Sequence, residues 1–202
     1  MNEKFYKLPL EKQRKIIFGG YRIFGEYAYK KAPMSMIAEE AGISKALLFH
    51  YFINKKELYL FLFKEAIYCS NSETQGEEFY RDIEFFDFMK WNISHSLKMA
   101  WKYPYMYQFL SRAYYEKDDN VSNGIEKLKT QYIQSNKDDI FKSIDTSRFK
   151  CINDAKVLFD MITFMAEGYM THNREQVLKN PEKTISLFNQ YMDSLKENYY
   201  SN

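Results

Sequence analysis

Apolar positions in this chain recur at three- and four-residue steps almost throughout, and that spacing predicts an all-α protein. Over residues 10–29, Ile16, Ile17, Gly20, Ile23, Phe24 and Tyr27 mark one face of a first helix. Pro33 suits the first turn of a second helix over 33–40, although Ala32 offers no side-chain acceptor to cap it. Ser44 can cap a third helix at about 45–51, and a fourth runs from near Asn54 to about residue 70 with Leu58, Phe61, Leu62 and Ile67. The polar stretch 71–79 reads as a joint. A fifth helix spans roughly 82–102, Pro104 breaks it, and a shorter aromatic helix follows to about Glu116. Residues 117–124 read as a loop, and helical spacing returns over 125–144, 152–172 and, after the Asn180-Pro181 stop, 182–199. The whole amounts to about nine helices. Only 7 glycines and 4 prolines punctuate it, which argues against a many-turned sheet protein.

The last two helices carry more apolar surface than one face needs. In 152–172, Ala155, Leu158, Phe159, Ile162, Met165, Ala166 and Tyr169 form a stripe, with Val157, Met161 and Phe164 beside it. In the last helix Ile185, Phe188, Met192, Leu195 and Tyr199 follow alternating three- and four-residue steps, the seam of helix bundles. Such girth predicts burial on two sides. A twofold interface with two helices from each subunit would supply it, and Leu158, Ile162, Tyr169, Ile185, Phe188, Met192 and Leu195 are its expected members.

Residues 35–58, SMIAEEAGISKALLFHYFINKKEL, hold the strongest local signal. Gly42 falls between two short helical patterns, where a tight turn needs a positive φ. Met36, Ile37, Ala41, Ile43, Leu48, Phe49 and Phe52 can form a small core, leaving Ser44, Lys45, His50, Tyr51 and Lys55 to face phosphates or base edges. That is the layout of a helix-turn-helix. Charge agrees with it: residues 1–57 carry 11 Lys/Arg against 6 Asp/Glu, whereas residues 58–202 carry 18 against 21. A basic N-terminal part fits a polyanionic partner.

Composition narrows the remaining classes. There is no run of 18 apolar residues and no signal-peptide core, so neither a membrane span nor export is expected, and a cytoplasmic protein is. Cys69 and Cys151 have no metal-ligand spacing, and the three histidines His50, His95 and His172 form no ligand pair. No phosphate loop, nucleophile elbow or HExxH is present, so no enzyme, metal or cofactor is expected.

The succession Ile16-Ile17, the glycine pair, an aromatic, then MSMIAEEAGISK, an aromatic-His-Tyr-Phe end and Lys-Lys-Glu-Leu resembles the N-terminal domain of the TetR family of transcriptional regulators over about residues 12–63. The resemblance implies a dimeric, ligand-responsive repressor. Residues 1–56 would be its helix-turn-helix domain, binding a palindromic operator in double-stranded DNA, and 57–202 its ligand-binding and dimerisation domain. Carried over residue by residue, Ser44 and Lys45 open the recognition helix, His50 and Tyr51 fall where the family contacts the DNA backbone, and Lys55 matches a phosphate-contacting lysine. Ala46 and Leu47 depart from the usual pattern, which points base readout toward thymine methyls. Ala28 and Ala32 depart too, and Ser35, counted among the DNA-binding residues, could supply the hydroxyl that Ala32 lacks.

Aromatics are dense over 85–115. In the family's plan Phe88, Trp91, His95, Tyr107, Tyr114 and Met165 would line a pocket for an apolar or aromatic small molecule. The implied switch is a population shift: an occupied pocket would favour a head spacing unsuited to grooves about 34–36 Å apart. The competing reading is a helical interaction module that has lost DNA binding, against which Lys45, Tyr51 and Lys55 argue.

Overall fold

The computed structural model describes residues 3–72, 82–149 and 151–200. In chain order its helices are α1 (Glu3–Tyr6), α2 (Leu10–Glu26), a 3-10 turn (Tyr29–Lys31), α3 (Met34–Glu40), α4 (Lys45–Tyr51) and α5 (Lys55–Ser72). There follow α6 (Phe85–Lys102), α7 (Pro104–Tyr114), α8 (Ser122–Leu128), a π-helical turn (Lys129–Gln134), α9 (Ser135–Ser143), α10 (Ile152–His172), α11 (Arg174–Lys179) and α12 (Pro181–Tyr199). Among the described residues there is no strand, only one isolated bridge between Glu84 and Asp145. The expected joint at 71–79 lies, from residue 73 onward, outside the described residues.

Packing divides the chain into two units, one formed by residues 1–73 with 103–136 and the other by 74–102 with 137–202. This packing division is distinct from the functional division expected at residue 56. The first turns of α5 cannot be parted from the head, because Leu58, Tyr59, Leu62 and Phe63 are wholly buried and Leu62 is seated on Gly20 of α2.

In the first unit, α2 is the central helix, touching α3, α5 and α7. It meets α3 closely: a Cβ on Gly19 would stand 3.1 Å from the Ala41 nitrogen and 3.2 Å from the Ile37 oxygen, both backbone atoms that cannot give way. Phe24, Tyr59 and Phe109 join α2, α5 and α7 edge-to-face and tilted, with Phe24–Tyr59 and Tyr59–Phe109 centroids 4.8 and 5.1 Å apart. Phe5 of α1 plugs the other end against Phe52 and Phe61 at 5.2 and 5.1 Å. Helix α1 has only four residues and one buried anchor, too short for periodicity to reveal.

In the second unit, α12 lies on α6. Phe85, Phe86, Phe88 and Met89 share a core with Leu158, Ile162, Phe188 and Met192. The ion pairs Lys90–Asp193 and Lys196–Glu84 border the α6–α12 contact, the second at 2.7 Å. Asn180 caps α12 by accepting from the Lys183 N–H at 3.1 Å, and Pro181 follows in the first turn. Helix α11, with Val177 as its buried residue, was not legible in the sequence. The expected helix over 125–144 is three pieces, α8, the π turn and α9.

Candidate nucleic-acid interface

The helix-turn-helix is built from its ends. Helix α3 stops in a Schellman arrangement: the Ile43 N–H donates to the Ala38 oxygen at 2.9 Å and the Gly42 N–H to the Glu39 oxygen at 3.0 Å. This requires Gly42 at φ +67°, a conformation costly for any residue with a Cβ. Ser44 then starts α4, its Oγ accepting the Leu47 N–H at 3.1 Å. Beyond α4 the chain is extended at Phe52. Asn54 Oδ1 accepts the Glu57 N–H, while Glu57 reaches back to accept the Ile53 N–H, both at 2.9 Å. A reciprocal cap thus sets the angle between α4 and α5. Helix α3 has no side-chain cap hydrogen bond at Pro33, so Ser35 does not replace the hydroxyl lost at Ala32; its side chain is exposed.

Helix α4 turns one face to solvent. Ser44, Lys45, Ala46, Leu47 and His50 are not buried, as expected of a reading surface. Two aromatics exchange roles with the expectation. Phe49, expected in the core, is 39% exposed, while Tyr51, expected on the DNA side, is 8% exposed. The Tyr51 ring packs against Phe5 at 6.5 Å. Helical phase explains the exchange: Phe49 follows Lys45 by four residues and Ala46 by three, so it shares their face. The Lys45 ammonium lies 5.9 Å from the Phe49 ring centroid. Leu48 and Phe52 point the other way and are buried.

Lys55 is not free either. Its ammonium donates to the Tyr29 carbonyl at 2.8 Å and stands 4.3 Å from the Tyr29 ring centroid. Burial pushes the Lys55 amine below its ordinary value, with nearby Asp118 pulling it back up.

The expected pocket residues fall in both units. In the second, Phe88 is a core residue, Trp91 is half-buried and stacks on His95 with centroids 5.1 Å apart, and Met165 is half-buried against the core. Tyr107 and Tyr114 belong to the first unit, where the Lys129 ammonium stands 4.0 Å from the Tyr114 ring centroid. Among the described residues no three His, Cys, Asp or Glu side chains cluster as metal ligands.

The expected interface residues are placed inside the subunit. Leu158, Ile162, Phe188 and Met192 are buried in the second unit's own core, and Tyr169, Ile185 and Leu195 pack on it half-buried. The stripe beside them is the outward one. Val157, Met161 and Phe164 of α10 are 50%, 52% and 66% exposed. Their spacing continues to Gly168, around which a Cβ would meet nothing within 4 Å. Periodicity separates the two stripes; it does not say which one the subunit keeps.

A capped helix-turn-helix whose second helix leaves Lys45, Ala46, Leu47 and His50 open to solvent defines the class of the head: a DNA-binding domain of helix-turn-helix type. Residues 16–61 match the family model described as bacterial regulatory proteins, tetR family. The head is similar to the HTH-type transcriptional repressor Rv1474c of Mycobacterium tuberculosis, at 35% identity over 54 residues, 27% of this chain and 29% of that one. It is also similar to the HTH-type transcriptional repressor AcnR of Corynebacterium efficiens, at 33% over 57 residues, 28% and 30% of the two chains. The match therefore spans under a third of the length of these relatives. The fold is shared far more widely. A TetR family transcriptional regulator from Chloroflexus aurantiacus superposes with a TM-score of 0.64 at 19% identity, covering 99% of this chain and 98% of that one. The fatty acid degradation regulator FadR from Bacillus halodurans superposes with 0.66 at 18% identity, covering 94% and 95%. The head thus matches the tetR family model, and over the whole chain the fold is that of solved TetR family regulators.

Proposed function

We propose that this chain is a DNA-binding transcriptional regulator, acting as a repressor that binds a palindromic operator as a homodimer and is released by a small molecule. The observation that carries the reading is the open α4 face of Ser44, Lys45, Ala46, Leu47 and His50, on a helix capped at its start by Ser44 and followed directly by the Asn54 cap of α5. A recognition helix must be held rigidly while its own polar and small side chains stay available to the groove, and α4 meets both conditions. Lys45 and the start of α4 serve phosphate, Ala46 and Leu47 read thymine methyls, and Phe49 adds apolar surface beside them. Tyr51 acts from beneath, fixing α4 on Phe5. In this reading residues 1–56 recognise DNA, and 57–202 dimerise and bind the effector.

The dimer surface in this reading is the outward face of α10, with Val157, Met161 and Phe164 meeting their symmetry mates and Gly168 allowing close approach. An apolar or aromatic effector is supported by the half-buried Trp91–His95 stack and by Met165, half-buried on the same core. No helix among the described residues is long and apolar enough to cross a membrane, and a regulator of this kind works beside the chromosome in the cytoplasm. One observation favours a protein-contacting head instead: Leu47, Phe49 and Ile53 together expose apolar surface. Selection from a random duplex library with the purified chain tests the choice. The regulator reading expects an inverted repeat to be recovered; a pool that stays random after repeated rounds would favour the protein-contacting head.

A further inference from the structure

Tyr29 is gripped from both sides. It opens the 3-10 turn that leads into α3, so its N–H has no partner within that turn, and Ala28 before it supplies no side-chain cap. The missing acceptor comes from 87 residues away: Glu116 Oε2 accepts the Tyr29 N–H at 3.1 Å. The other Glu116 oxygen is fixed by its own loop, accepting from the Lys117 and Asp118 N–H groups at 3.0 and 3.1 Å. On the far side, the Tyr29 carbonyl accepts from Lys55 at 2.8 Å, and the ammonium also lies against the Tyr29 ring. That ring is buried, edge-on to Tyr59 at 5.0 Å. Tyr29 precedes the helix-turn-helix and Lys55 follows it, so one lysine ties together the two ends of the motif.

We propose that Lys55 and Glu116 are positioning residues for operator recognition, a pair that clamps the Tyr29 peptide and thereby fixes the helix-turn-helix at its entry and exit. This rests on the regulator reading above. It assigns to Lys55 a different task from the phosphate contact implied by resemblance. Leaving the clamp for a phosphate would cost the ammonium a charge-assisted hydrogen bond and a ring face together. It also gives a role in DNA binding to a carboxylate, which charge alone would make unfavourable to DNA.

The sign of the Glu116 effect separates the two accounts. Removing a negative charge from a DNA-binding chain should by electrostatics leave binding unchanged or tighten it. Removing one jaw of the clamp should weaken it. The test is fluorescence anisotropy with the duplex recovered by selection and a shuffled control, over a series of salt concentrations, for Lys55→Met, Glu116→Ala, Glu116→Gln and the Lys55→Met/Glu116→Ala double variant. Thermal melts confirm that each is folded at the assay temperature.

The clamp predicts roughly tenfold weaker operator binding for Lys55→Met and for Glu116→Ala, the scale of one lost charge-assisted, part-buried hydrogen bond. It predicts salt slopes parallel to wild type, and a double variant close to either single because both act through Tyr29. Glu116→Gln, whose amide oxygen can still accept the Tyr29 N–H, should restore most of the affinity. A salt slope shallower by about one unit in Lys55→Met, with Glu116→Ala neutral or tighter, would make Lys55 a phosphate ligand and overturn the proposal. Amide hydrogen exchange without DNA tests the clamp independently: protection should fall at residues 29–34 in Lys55→Met and Glu116→Ala and hold in α6. If the wild-type chain binds no duplex, the regulator reading fails, and unchanged exchange at Tyr29 would then reject the clamp on its own.

Discussion

Phe164→Glu should split the proposed dimer while leaving the subunit folded. Phe164 is 66% exposed in the subunit and stands at the centre of the outward apolar stripe on α10, between Met161 and Gly168. Fully burying a phenylalanine is worth about 1.5–3 kcal/mol. Two-thirds of that side chain remains to be buried, so each subunit gains about 1–2 kcal/mol from it on pairing, and the symmetric pair about 2–4 kcal/mol. Glutamate removes that gain and places two carboxylates near the twofold axis, each with a desolvation cost of its own. The dimer dissociation constant should therefore rise by at least about 30- to 1,000-fold. Sedimentation equilibrium at several loading concentrations measures it directly. Because the position is exposed within the subunit, the variant monomer should keep its fold, with a circular dichroism spectrum like that of the parent. Met192→Ala is the contrasting case: Met192 is wholly buried, so truncation should cost about 2–5 kcal/mol of subunit stability without acting on the interface first. A Phe164→Glu protein that dimerises as tightly as wild type would refute the assignment of this face.

Three further outcomes follow from the geometry. Gly42→Val places a β-branched residue at φ +67° and should lower urea stability by more than about 1–2 kcal/mol, the general cost of the left-handed conformation; little loss would mean that the turn can be rebuilt. Leu47→Gln should change the preferred bases in a fresh selection while leaving the salt slope intact, since on the proposed reading this neutral side chain on α4 meets bases and not phosphate. Glu65 is half-buried, and burial raises its carboxyl above the ordinary value, partly opposed by Lys64 and the Tyr6 hydroxyl. Its folded form thus holds a proton more tightly than the unfolded chain, and stability falls as pH rises from about 4.3 through the raised folded value. Glu65→Gln should therefore stabilise the protein at pH 7 and lose that advantage near pH ~3.5, below the unfolded value, as measured by urea unfolding at the two pH values.

The parts of this molecule legible in its sequence are those with local causes. Gly42 and Ser44 marked the turn because a positive φ and a capping hydroxyl are properties of single residues, and the structure uses both as expected. Asn180-Pro181 marked the start of α12 for the same reason. What was misread depended on choices that hydrophobicity alone does not make. Phe49 and Tyr51 are both aromatic and two positions apart, about 200° around a helix, so exchanging them leaves the local pattern apolar enough to fold. Only the shared phase of Phe49 with Lys45 indicated the answer. In α10, apolar residues occupy two stripes, and the richer one belongs to the subunit's own core because Phe85, Phe86 and Phe188 meet it. Lys55 looks like a surface cation in the sequence because its partners lie far off: Tyr29 is 26 residues from Lys55, and Glu116 is 87 from Tyr29. No spacing rule reaches that far.

Whether α4 reads operator DNA is decided by anisotropy titration of the recovered duplex and a shuffled duplex at about 50 and 200 mM salt. A reading helix gives a large preference for the recovered site at both concentrations. Affinity should also fall at least several-tenfold between them, as phosphate neutralisation requires. Equal affinity for the two duplexes, or binding indifferent to salt, would contradict that role for α4.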